Sequence, residues 1–586
     1  MKKKIFMIPL AAVLLAGVTG CSLDEFNPTG GPTMENKAST PEGYEQLINA
    51  CYFPLTRQWT GGGEDWVVYQ AEAGTDLWVS AQGRSFMQHL FNYNDLNGAS
   101  ANLEEGWVSS YETINMCNAA IYYASKPDFG SEEARNAKVA EAHFLRAFFN
   151  FFVVEYFGGK YLPTTFTTAP ITEIPTSSVD QFYALIFSDL KFAMKHLPPK
   201  QAQVGRATKA AACHLYAKAC LQYAAYDSAT DKTQLYTEAK NAAAEVIDNR
   251  AAYGLELYAE PSQVFDVKNN KSNKEAVWVA THSSEPGLNP RGTSFWNRVY
   301  KQFSAMRLNG SCGVDWALDS EYVGGNARIM PTLALLDMYE DPEDTRYSAF
   351  FREAYYATSD YTWSAGDCNR YGKDPDVFSG KKTISKHDTA MWFTRERVPD
   401  AKARDYACFG RDDVYNADGT ANELTIQQGY TALKKFEAPG WYIGDLGNSY
   451  TYADQIVFRL ADTYLLAAEA CYRLGGAELA NAADYINVVR NRACKNHDGS
   501  MDIASSDVDV DFILAERARE LCGEYTRWID LKRMGKEVMA RYINSNPDIK
   551  AVGKFNIDIH YCWPVPEGAE INYVTNPDEL QNPGYL

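Results

Sequence analysis

The sequence lacks the residue clusters by which metal centres, nucleotide sites and disulfide frameworks are recognised. Only eight histidines occur in 586 residues, and none lies in a His-Glu-x-x-His or other close metal-binding spacing. The glycines at 61–63 are not followed by the Gly-Lys-Ser/Thr of a phosphate loop. The twelve cysteines include no Cys-x-x-Cys pair, and Cys213, Cys220 and Cys471 fall inside helical apolar patterns. The sequence therefore predicts no metal and no cofactor, and we expect most cysteines to be buried free thiols.

Positive charge and long hydrophobic runs are also scarce. The 56 lysine and arginine residues are outnumbered by 75 aspartate and glutamate residues, which gives a net charge of −19. An acidic surface of this size disfavours nucleic acid and anionic headgroups as partners. Beyond the first twenty residues, no apolar segment approaches the length that spans a bilayer. With 46% hydrophobic residues, the chain can nevertheless bury a large core.

The first twenty-one residues predict export and lipid anchoring. Three lysines follow Met1, and the apolar run from Ile5 to Val18 is too short to span a membrane, which indicates a removable signal. The small residues before Cys21 resemble the lipobox of bacterial lipoproteins, in which a cysteine is acylated and becomes the new N-terminus. We interpret residues 1–20 as a lipoprotein signal peptide and Cys21 as the lipid attachment site. The alternative is a plain signal peptide followed by a chance cysteine.

Residues 21–39 are predicted to form a flexible tether behind the lipid. The segment is polar, and glycine and proline are concentrated between Asn27 and Pro32. The acidic pair Asp24 and Glu25 is similar to the surface-export signals of Bacteroidetes lipoproteins, which would place the protein on the cell surface. A simple solvated linker explains the same two residues equally well.

Two blocks of helical periodicity, residues 40–252 and 451–586, frame the rest of the chain. Small residues alternate there with aromatic ones, which lets helices approach closely as helix-turn-helix repeats require. The same texture recurs in the second block between Tyr452 and Met534. The predicted fold class is mainly α, an α-superhelix of degenerate tetratricopeptide-like repeats. In the first block, apolar residues recur at three- and four-residue spacing in segments 106–126, 131–158, 177–197, 206–226 and 231–250.

Residues 253–450, between the two blocks, have a different texture. Glycine, proline, asparagine and aspartate interrupt short apolar runs. Long irregular segments in a compact protein usually carry function. We therefore expect an irregular, loop-rich ligand-binding region that packs on the helical scaffold. Its tryptophans are scattered rather than periodic, at Trp278, Trp296, Trp316, Trp363, Trp392 and Trp441.

The C-terminal half contains motifs that resemble the SusD/RagB family. The charged run from Glu516 to Glu524, followed by the run from Arg527 to Arg533, has the family's signature. The resemblance covers nearly the whole chain after the lipobox, although Asp462 stands where the family usually has glutamate. The run 516–520 can also form charge pairs at three- and four-residue spacing along a helix. Further matching segments lie at 144–147, 156–158, 205–209, 331–339, 344–347, 459–470, 563–566 and 581–585.

This resemblance implies a lipid-anchored, surface-exposed protein of a Bacteroidetes-type outer membrane. Such proteins capture oligosaccharides or polysaccharides, act as lids on a SusC-like TonB-dependent transporter, and are not enzymes. The implied partners are thus the transporter, an oligosaccharide and the membrane reached through the lipid, with no nucleic acid. Capture of peptides on the same scaffold is the alternative, and an outer-membrane hydrolase is a second alternative.

Proteins bind sugars with aromatic platforms and planar polar side chains, so tryptophans outside helical periodicity are the candidate ligand contacts. In the family, the segment before the helix of Trp107 and Tyr111 commonly supplies ligand contacts. The first group of candidates, in and near that segment, is Trp66, Trp78, Arg84, Tyr93 and Asn94. The second group, in the irregular region, is Trp296, Trp316 and Trp363. Trp78 is equally compatible with a buried strand, whereas Trp107, Trp528 and Trp563 lie in scaffold motifs and are expected to be structural.

Overall fold

A computed structural model describes residues 33–60, 66–169, 171–285, 288, 297–305, 309–446, 449–568 and 571–585. The predicted signal peptide and Cys21 lie outside these residues. The end of the predicted tether is described and is helical: α1 spans Met34–Ala38, and the Thr33 side chain accepts a hydrogen bond from the backbone N–H of Asn36. Because α1 is capped and buries Ala38, the tether prediction is wrong for residues 33–39.

The N-terminal region is predominantly helical, as predicted. Ser131, Ser178, Thr208 and Asp231 fix the starts of four long helices, since each side chain accepts a hydrogen bond from the backbone N–H three residues later. The elements after α1 are α2 (Pro41–Thr60), α3 (Trp66–Glu72), β1 (Trp78–Ser80), α4 (Gln88–Phe91), α5 (Glu104–Tyr123), α6 (Glu132–Phe157), α7 (Val179–His196), α8 (Lys209–Tyr223), α9 (Lys232–Asp248) and α10 (Arg250–Tyr253).

The middle region consists of short helices and short strands, which confirms its predicted irregular texture. Its helices are α11 (Pro261–Val264), α12 (Val299–Phe303), α13 (Leu333–Asp337), α14 (Arg346–Phe350), α15 (Ala365–Arg370), α16 (Pro375–Phe378) and α17 (Arg411–Val414). Its strands are β2 (Ala276–Ala280), β3 (Ile329–Pro331), β4 (Phe351–Arg352), β5 (Ala354–Tyr356), β6 (Tyr361–Thr362), β7 (Thr383–Ile384), β8 (Thr389–Phe393), β9 (Ala407–Phe409), β10 (Ala432–Leu433), β11 (Tyr442–Ile443) and β12 (Tyr450–Thr451).

The C-terminal region begins with a strand and is helical after it. Its elements are β13 (Gln455–Arg459), α18 (Leu460–Leu474), α19 (Glu478–Ala493), α20 (Val510–Leu521), α21 (Arg527–Arg533), α22 (Lys536–Ile543), α23 (Pro547–Val552), α24 (Ile557–His560) and α25 (Pro577–Leu580). Strand β13 pairs antiparallel with β2, so the irregular region is joined directly to the C-terminal helices. The pairs β1–β3 and β11–β12 are also antiparallel, and both lie at the site described below.

The long helices form one continuous array. Helices α5 to α9 pack one against the next in chain order, α9 packs against α18, and α18 packs against α19. The C-terminal helices therefore extend the array that the N-terminal helices begin, which confirms the predicted α-superhelix. No helix among the described residues is both long enough and apolar enough to cross a membrane.

Buried ion pairs connect the charged runs 516–524 and 527–533 to the rest of the fold. Within α20, Arg519 pairs with Glu516 three residues earlier at 2.7 Å, as the helical spacing predicts. The other pairs are tertiary: Arg517 contacts Asp530 of α21 at 2.8 Å and Asp462 of α18 at 2.7 Å. All of these side chains except Arg519 are nearly or fully buried. The sequence pattern predicted charge pairs within one helix only. In the structure, the partners of Arg517 come from α18 and α21.

The predicted structural residues are confirmed in the core. Trp107, Trp528 and Trp563 are buried, and the rings of Trp528 and Trp563 stack 5.9 Å apart. The eleven described cysteines are all free thiols, and only Cys562 is not fully buried. The aromatic-rich C-terminal motifs therefore serve packing, and ligand contacts have to be sought on other residues.

Candidate ligand-binding site

Three of the predicted ligand contacts are core residues. Trp78 begins β1, is 0% exposed, and donates its Nε1 hydrogen to the Glu72 carboxylate at 2.7 Å. Tyr93 is 3% exposed, donates its hydroxyl hydrogen to the Gly74 carbonyl at 2.7 Å, and stacks on His560. Trp78 has no exposed surface and Tyr93 has almost none, so neither side chain is available to a ligand and the ligand role predicted for both is wrong.

Trp363 is also buried, at 1% exposure. Its Nε1 donates to the Asp405 carbonyl at 2.8 Å, and Phe378 packs edge-on against its ring at 5.5 Å. The predicted ligand role of Trp363 is therefore wrong as well. Trp296 lies outside the described residues, and so does the side chain of Trp66, whose backbone begins α3.

Arg84, Asn94 and Trp316 remain partly exposed. The Nε atom of Arg84 lies 2.8 Å from the Asp548 carboxylate, and this hydrogen bond raises the pKa of the Arg84 guanidinium. Asn94 is half-buried and donates to the Gln88 side chain at 2.9 Å. The side chains of Arg84 and Asn94 thus already form hydrogen bonds within the protein, and a ligand would have to compete with these partners.

The structure brings the loop after Trp78 and the segment after Trp316 together. Strand β1 pairs with β3, which places the segment after Trp78 beside residues 324–331. The backbone N–H of Ala81 donates to the Arg328 carbonyl at 2.9 Å, and the Gln82 side chain donates to the Asn326 carbonyl at 3.0 Å. Residues more than 230 positions apart therefore form one surface, on which the Arg328 guanidinium lies 5.7 Å from the centre of the Phe86 ring.

Trp316 lies on the same surface and rests on a glycine. A Cβ atom at Gly324 would come within 2.7 Å of the Trp316 ring, so only glycine lets the ring lie this close to the backbone. The backbone N–H of Trp316 donates to the Asn309 side chain at 2.7 Å. The indole Nε1 has no hydrogen-bond partner among the described residues. Packing rather than hydrogen bonding thus positions this ring, which is half-buried and presents its remaining surface to solvent.

A β-hairpin made by β11 and β12 completes the site. The Leu446 carbonyl, in the connection between the strands, lies 3.0 Å from the same Cβ position on Gly324, so the hairpin abuts Trp316. Trp441 and Tyr452 flank the two strands and stack with centroids 4.9 Å apart and planes 12° apart. We call Phe86, Trp316, Arg328 and the hairpin from Trp441 to Tyr452 the aromatic site.

Arginines pack against the rings of the aromatic site and join the segments that carry them. The Arg298 guanidinium lies 4.2 Å from the centre of the Tyr450 ring, within the range of a cation–π contact. Arg352 joins Glu321 of the loop after Trp316 to Glu437 before the hairpin, at 2.6 and 2.5 Å. Burial lowers the pKa of Arg352, but the carboxylate of Glu437 outweighs burial and raises that pKa. The Arg352 bridge therefore holds together the two segments that carry the aromatic rings.

Backbone strain is concentrated in residues 87–102, which follow Phe86, and in residues 312–327, which contain Trp316. Nine non-glycine residues in the described part of the chain have a positive φ, and six of them lie between residues 87 and 102 or between 312 and 327. Met87 and Ala327, at φ of 43° and 48°, belong to the loops that carry Phe86 and Arg328. Such strained conformations are typical of binding and switch regions, where the surrounding structure enforces them.

Sequence reasoning missed the hairpin. Arg298, Tyr450 and Tyr452 were not among the predicted contacts, and Trp441 was noted only as one scattered tryptophan. The alternation of Tyr450, Thr451 and Tyr452 after a glycine-containing turn is a hairpin signal that could have identified the element. No group of three or more histidine, cysteine or acidic side chains is placed to hold a metal ion within the described ranges.

Comparison with known proteins places this architecture in a family. The profile described as the SusD family matches residues 274–585, and one described as "Starch-binding associating with outer membrane" matches residues 52–221. The chain is similar to SusD-like protein P2 of Formosa agariphila, with 24% identity over 98% of each chain. It is also 24% identical to the starch-binding protein SusD of Bacteroides thetaiotaomicron, over 100% of this chain and 99% of the relative.

A solved structure supports the same fold. A laminarin-binding SusD-like protein superposes with a TM-score of 0.67 at 21% identity, over 93% of this chain and all of the other. The residues that match the SusD family include the buried charged motif of α20 and α21 and strands β3, β11 and β12, whereas β1 lies in the segment 52–221 matched by the second profile. The profile match spans more than half of the chain and agrees with the observed superhelix. The chain therefore belongs to the SusD family.

Proposed function

We propose that this protein captures oligosaccharides or polysaccharides at the aromatic site. The observation that carries the proposal is the half-buried Trp316 ring, which packs against Gly324 next to the hairpin that carries the stacked pair Trp441 and Tyr452. Sugar rings present apolar C–H faces that pack on such aromatic surfaces, and guanidinium groups donate to sugar hydroxyls. Two relatives support the choice of ligand, since one is named for starch binding and another for laminarin binding.

A binding screen tests this proposal directly. The purified protein is titrated with α- and β-linked gluco-oligosaccharides, acidic oligosaccharides and a mixed peptide library. We expect saturable binding of at least one oligosaccharide class and none of the peptides. Binding restricted to peptides would replace the glycan proposal with the peptide alternative, in which the same scaffold captures peptides.

The proposed role is binding without catalysis. The aromatic site offers stacking surfaces and arginine donors, which hold a sugar without attacking its glycosidic bond. A captured oligosaccharide should be recovered unchanged after long incubation with the protein. Reducing ends released in proportion to protein concentration would instead support the hydrolase alternative.

We further propose that the protein is anchored in the outer membrane through Cys21 and serves as the lid of a SusC-like TonB-dependent transporter. The lipobox-like sequence before Cys21 supports the anchor, and family membership supports the transporter partner. Cys21→Ser should abolish labelling by a fatty-acid analogue and release the protein from membranes. Undiminished label in that variant would refute the anchor, and failure of a large β-barrel to co-purify with the lipidated protein would refute the lid role.

A further inference from the structure

A group of exposed apolar side chains lies at the C-terminal end of α5. Tyr122, in the last turn of α5, is 65% exposed, and Met34 of α1 is 48% exposed. Tyr123 and Phe166 are half-buried beside them. We call Met34, Tyr122, Tyr123 and Phe166 the end patch. Its members contribute to neither the aromatic site nor the buried charge network.

Ring contacts join three members of the end patch, and an ion pair holds α1, which carries Met34, at the same end of α5. The rings of Tyr122 and Tyr123 lie 4.9 Å apart, and those of Tyr123 and Phe166 lie 6.1 Å apart. The Lys126 ammonium, three residues after Tyr123, is 2.9 Å from the Glu35 carboxylate of α1. This ion pair fixes α1, and with it Met34, at the C-terminal end of α5.

The chain leaves the described structure at this end of the molecule. Thr33 caps α1, and twelve positions separate it from Cys21. Even a fully extended chain of that length spans only about 40 Å, at roughly 3.3 Å per residue. A lipid on Cys21, which is part of the proposed function, would therefore hold the end patch close to the bilayer.

The side chains of the end patch suit a lipid headgroup region. Tyrosine combines an apolar ring with a polar hydroxyl and is enriched where membrane meets water. The Lys126 side chain is 45% exposed beside its ion pair with Glu35, so its ammonium can approach lipid phosphates. Because the chain as a whole is acidic, the contact has to rest on burial of aromatic surface rather than on net charge. Because the lipid on Cys21 already attaches the protein to the bilayer, a short tether gives the end patch a high effective concentration at the lipid surface. Even a weak contact between the end patch and lipid headgroups is then populated.

We propose that the end patch is a second membrane contact, inserting into the lipid headgroup region beside the lipid anchor. The protein would then rest on the bilayer by the α1 end, instead of swinging freely about its tether. The occupant of the end patch is thus a phospholipid surface. A protein partner at the same place is the competing outcome of the test.

Quenching by brominated lipids tests the proposal on the lipidated full-length chain in phosphatidylcholine vesicles. Tyr122→Trp adds a fluorophore to the end patch and keeps it aromatic. Leu424→Trp adds one at a site that is 86% exposed, in the turn whose Glu423 accepts a hydrogen bond from Arg84. Wild-type emission is subtracted from both. We expect the added emission at position 122 to be quenched and that at position 424 to be unaffected.

Each other outcome overturns the membrane contact. Equal quenching at both positions would show a protein that tumbles on its tether without a preferred face. No quenching at either position would show that lipids do not touch the end patch. A change in emission at position 122 only when a co-purified β-barrel is added would assign the end patch to a protein partner.

Failure of the anchor is distinguishable from failure of the membrane contact. A chain that is not lipidated does not float with vesicles in a density gradient, whatever its end patch does. A chain that floats but shows no quenching retains the anchor and lacks the contact. Oligosaccharide titration of the same preparation reports separately on the aromatic site. A loss of glycan binding would therefore not affect the interpretation of the quenching experiment.

Discussion

Replacing Glu520 by glutamine is expected to destabilise this protein strongly. Glu520 of α20 is fully buried, and its Oε1 atom accepts hydrogen bonds from Arg459 at 2.7 Å and from Arg492. Its Oε2 atom accepts one from Arg346 at 3.2 Å. Burial raises the pKa of Glu520, but these three guanidinium groups outweigh burial and lower that pKa well below its usual range. The carboxylate is therefore charged in the folded protein and balances arginines from three other segments.

The magnitude follows from removing a carboxylate that three buried arginines share. Each arginine keeps a second one: Glu275 for Arg459 and Arg492, and Asp344 for Arg346. Removing one member of a buried ion pair typically costs about 3–5 kcal/mol. Domains are stable by only about 5–15 kcal/mol, so Glu520→Gln should remove a large part of the free energy of unfolding. The matched control is Glu256→Gln, whose exposed ion pair with Lys274 spans 3.2 Å. Exposed pairs of this kind contribute about 0–1 kcal/mol.

Urea unfolding followed by circular dichroism measures both variants. We expect the midpoint of Glu520→Gln to fall well below that of Glu256→Gln, with the slope of the transition unchanged. If the two variants unfold at the same urea concentration, the buried charges contribute no more than an exposed pair, and the reasoning is refuted. Failure of Glu520→Gln to fold at all would agree with the prediction, provided that Glu256→Gln folds normally.

Three further predictions follow from buried groups and close contacts. Burial raises the pKa of Glu72 to about 8, above its value in an unfolded chain, so ionisation favours unfolding and the melting temperature should fall as pH rises from about 5 to 8. Glu72→Gln should flatten that slope, and an unchanged slope would contradict the assignment. Gly324→Ala should displace the Trp316 ring and weaken oligosaccharide binding with little change in melting temperature, whereas full affinity would show that the ring can adjust. Because the described cysteines are free, a reductant should leave the melting temperature unchanged, and a drop would reveal a disulfide.

The helices were predictable because their signals are local. The helix predicted at 177–197 corresponds to α7, Val179–His196. It was predictable because Ser178 and Gln181 form a capping box and the apolar residues are regularly spaced. The short helix α1 was missed because the prediction weighed the glycine and proline of residues 27–32 and overlooked the Thr33 cap. Local sequence thus determined most of the scaffold.

The site was less predictable because burial depends on pairing between distant residues. Trp78 is in the core because β1 pairs with β3 some 250 residues later, and no local pattern distinguishes this outcome from an exposed tryptophan. The same pairing brings the loop of Phe86 to the segment of Arg328, two residues that neither predicted group contained. Charge partners show the same limit, since Glu520 is paired with Arg346, which lies 174 positions earlier.

The measurement closest to the central claim is calorimetric titration of Trp316→Ala with the oligosaccharide that the wild-type protein binds. Loss of one stacked aromatic ring should weaken binding by about 1–3 kcal/mol, or roughly 5- to 150-fold, by analogy with the stacking of bases on aromatic side chains. Tyr573→Ala, at a position that is 76% exposed and outside the aromatic site, is the control and should bind as the wild type does. Thermal melts of all three proteins show whether each is folded. If Trp316→Ala is folded and binds the oligosaccharide at full affinity, the aromatic site is not where this protein captures its ligand.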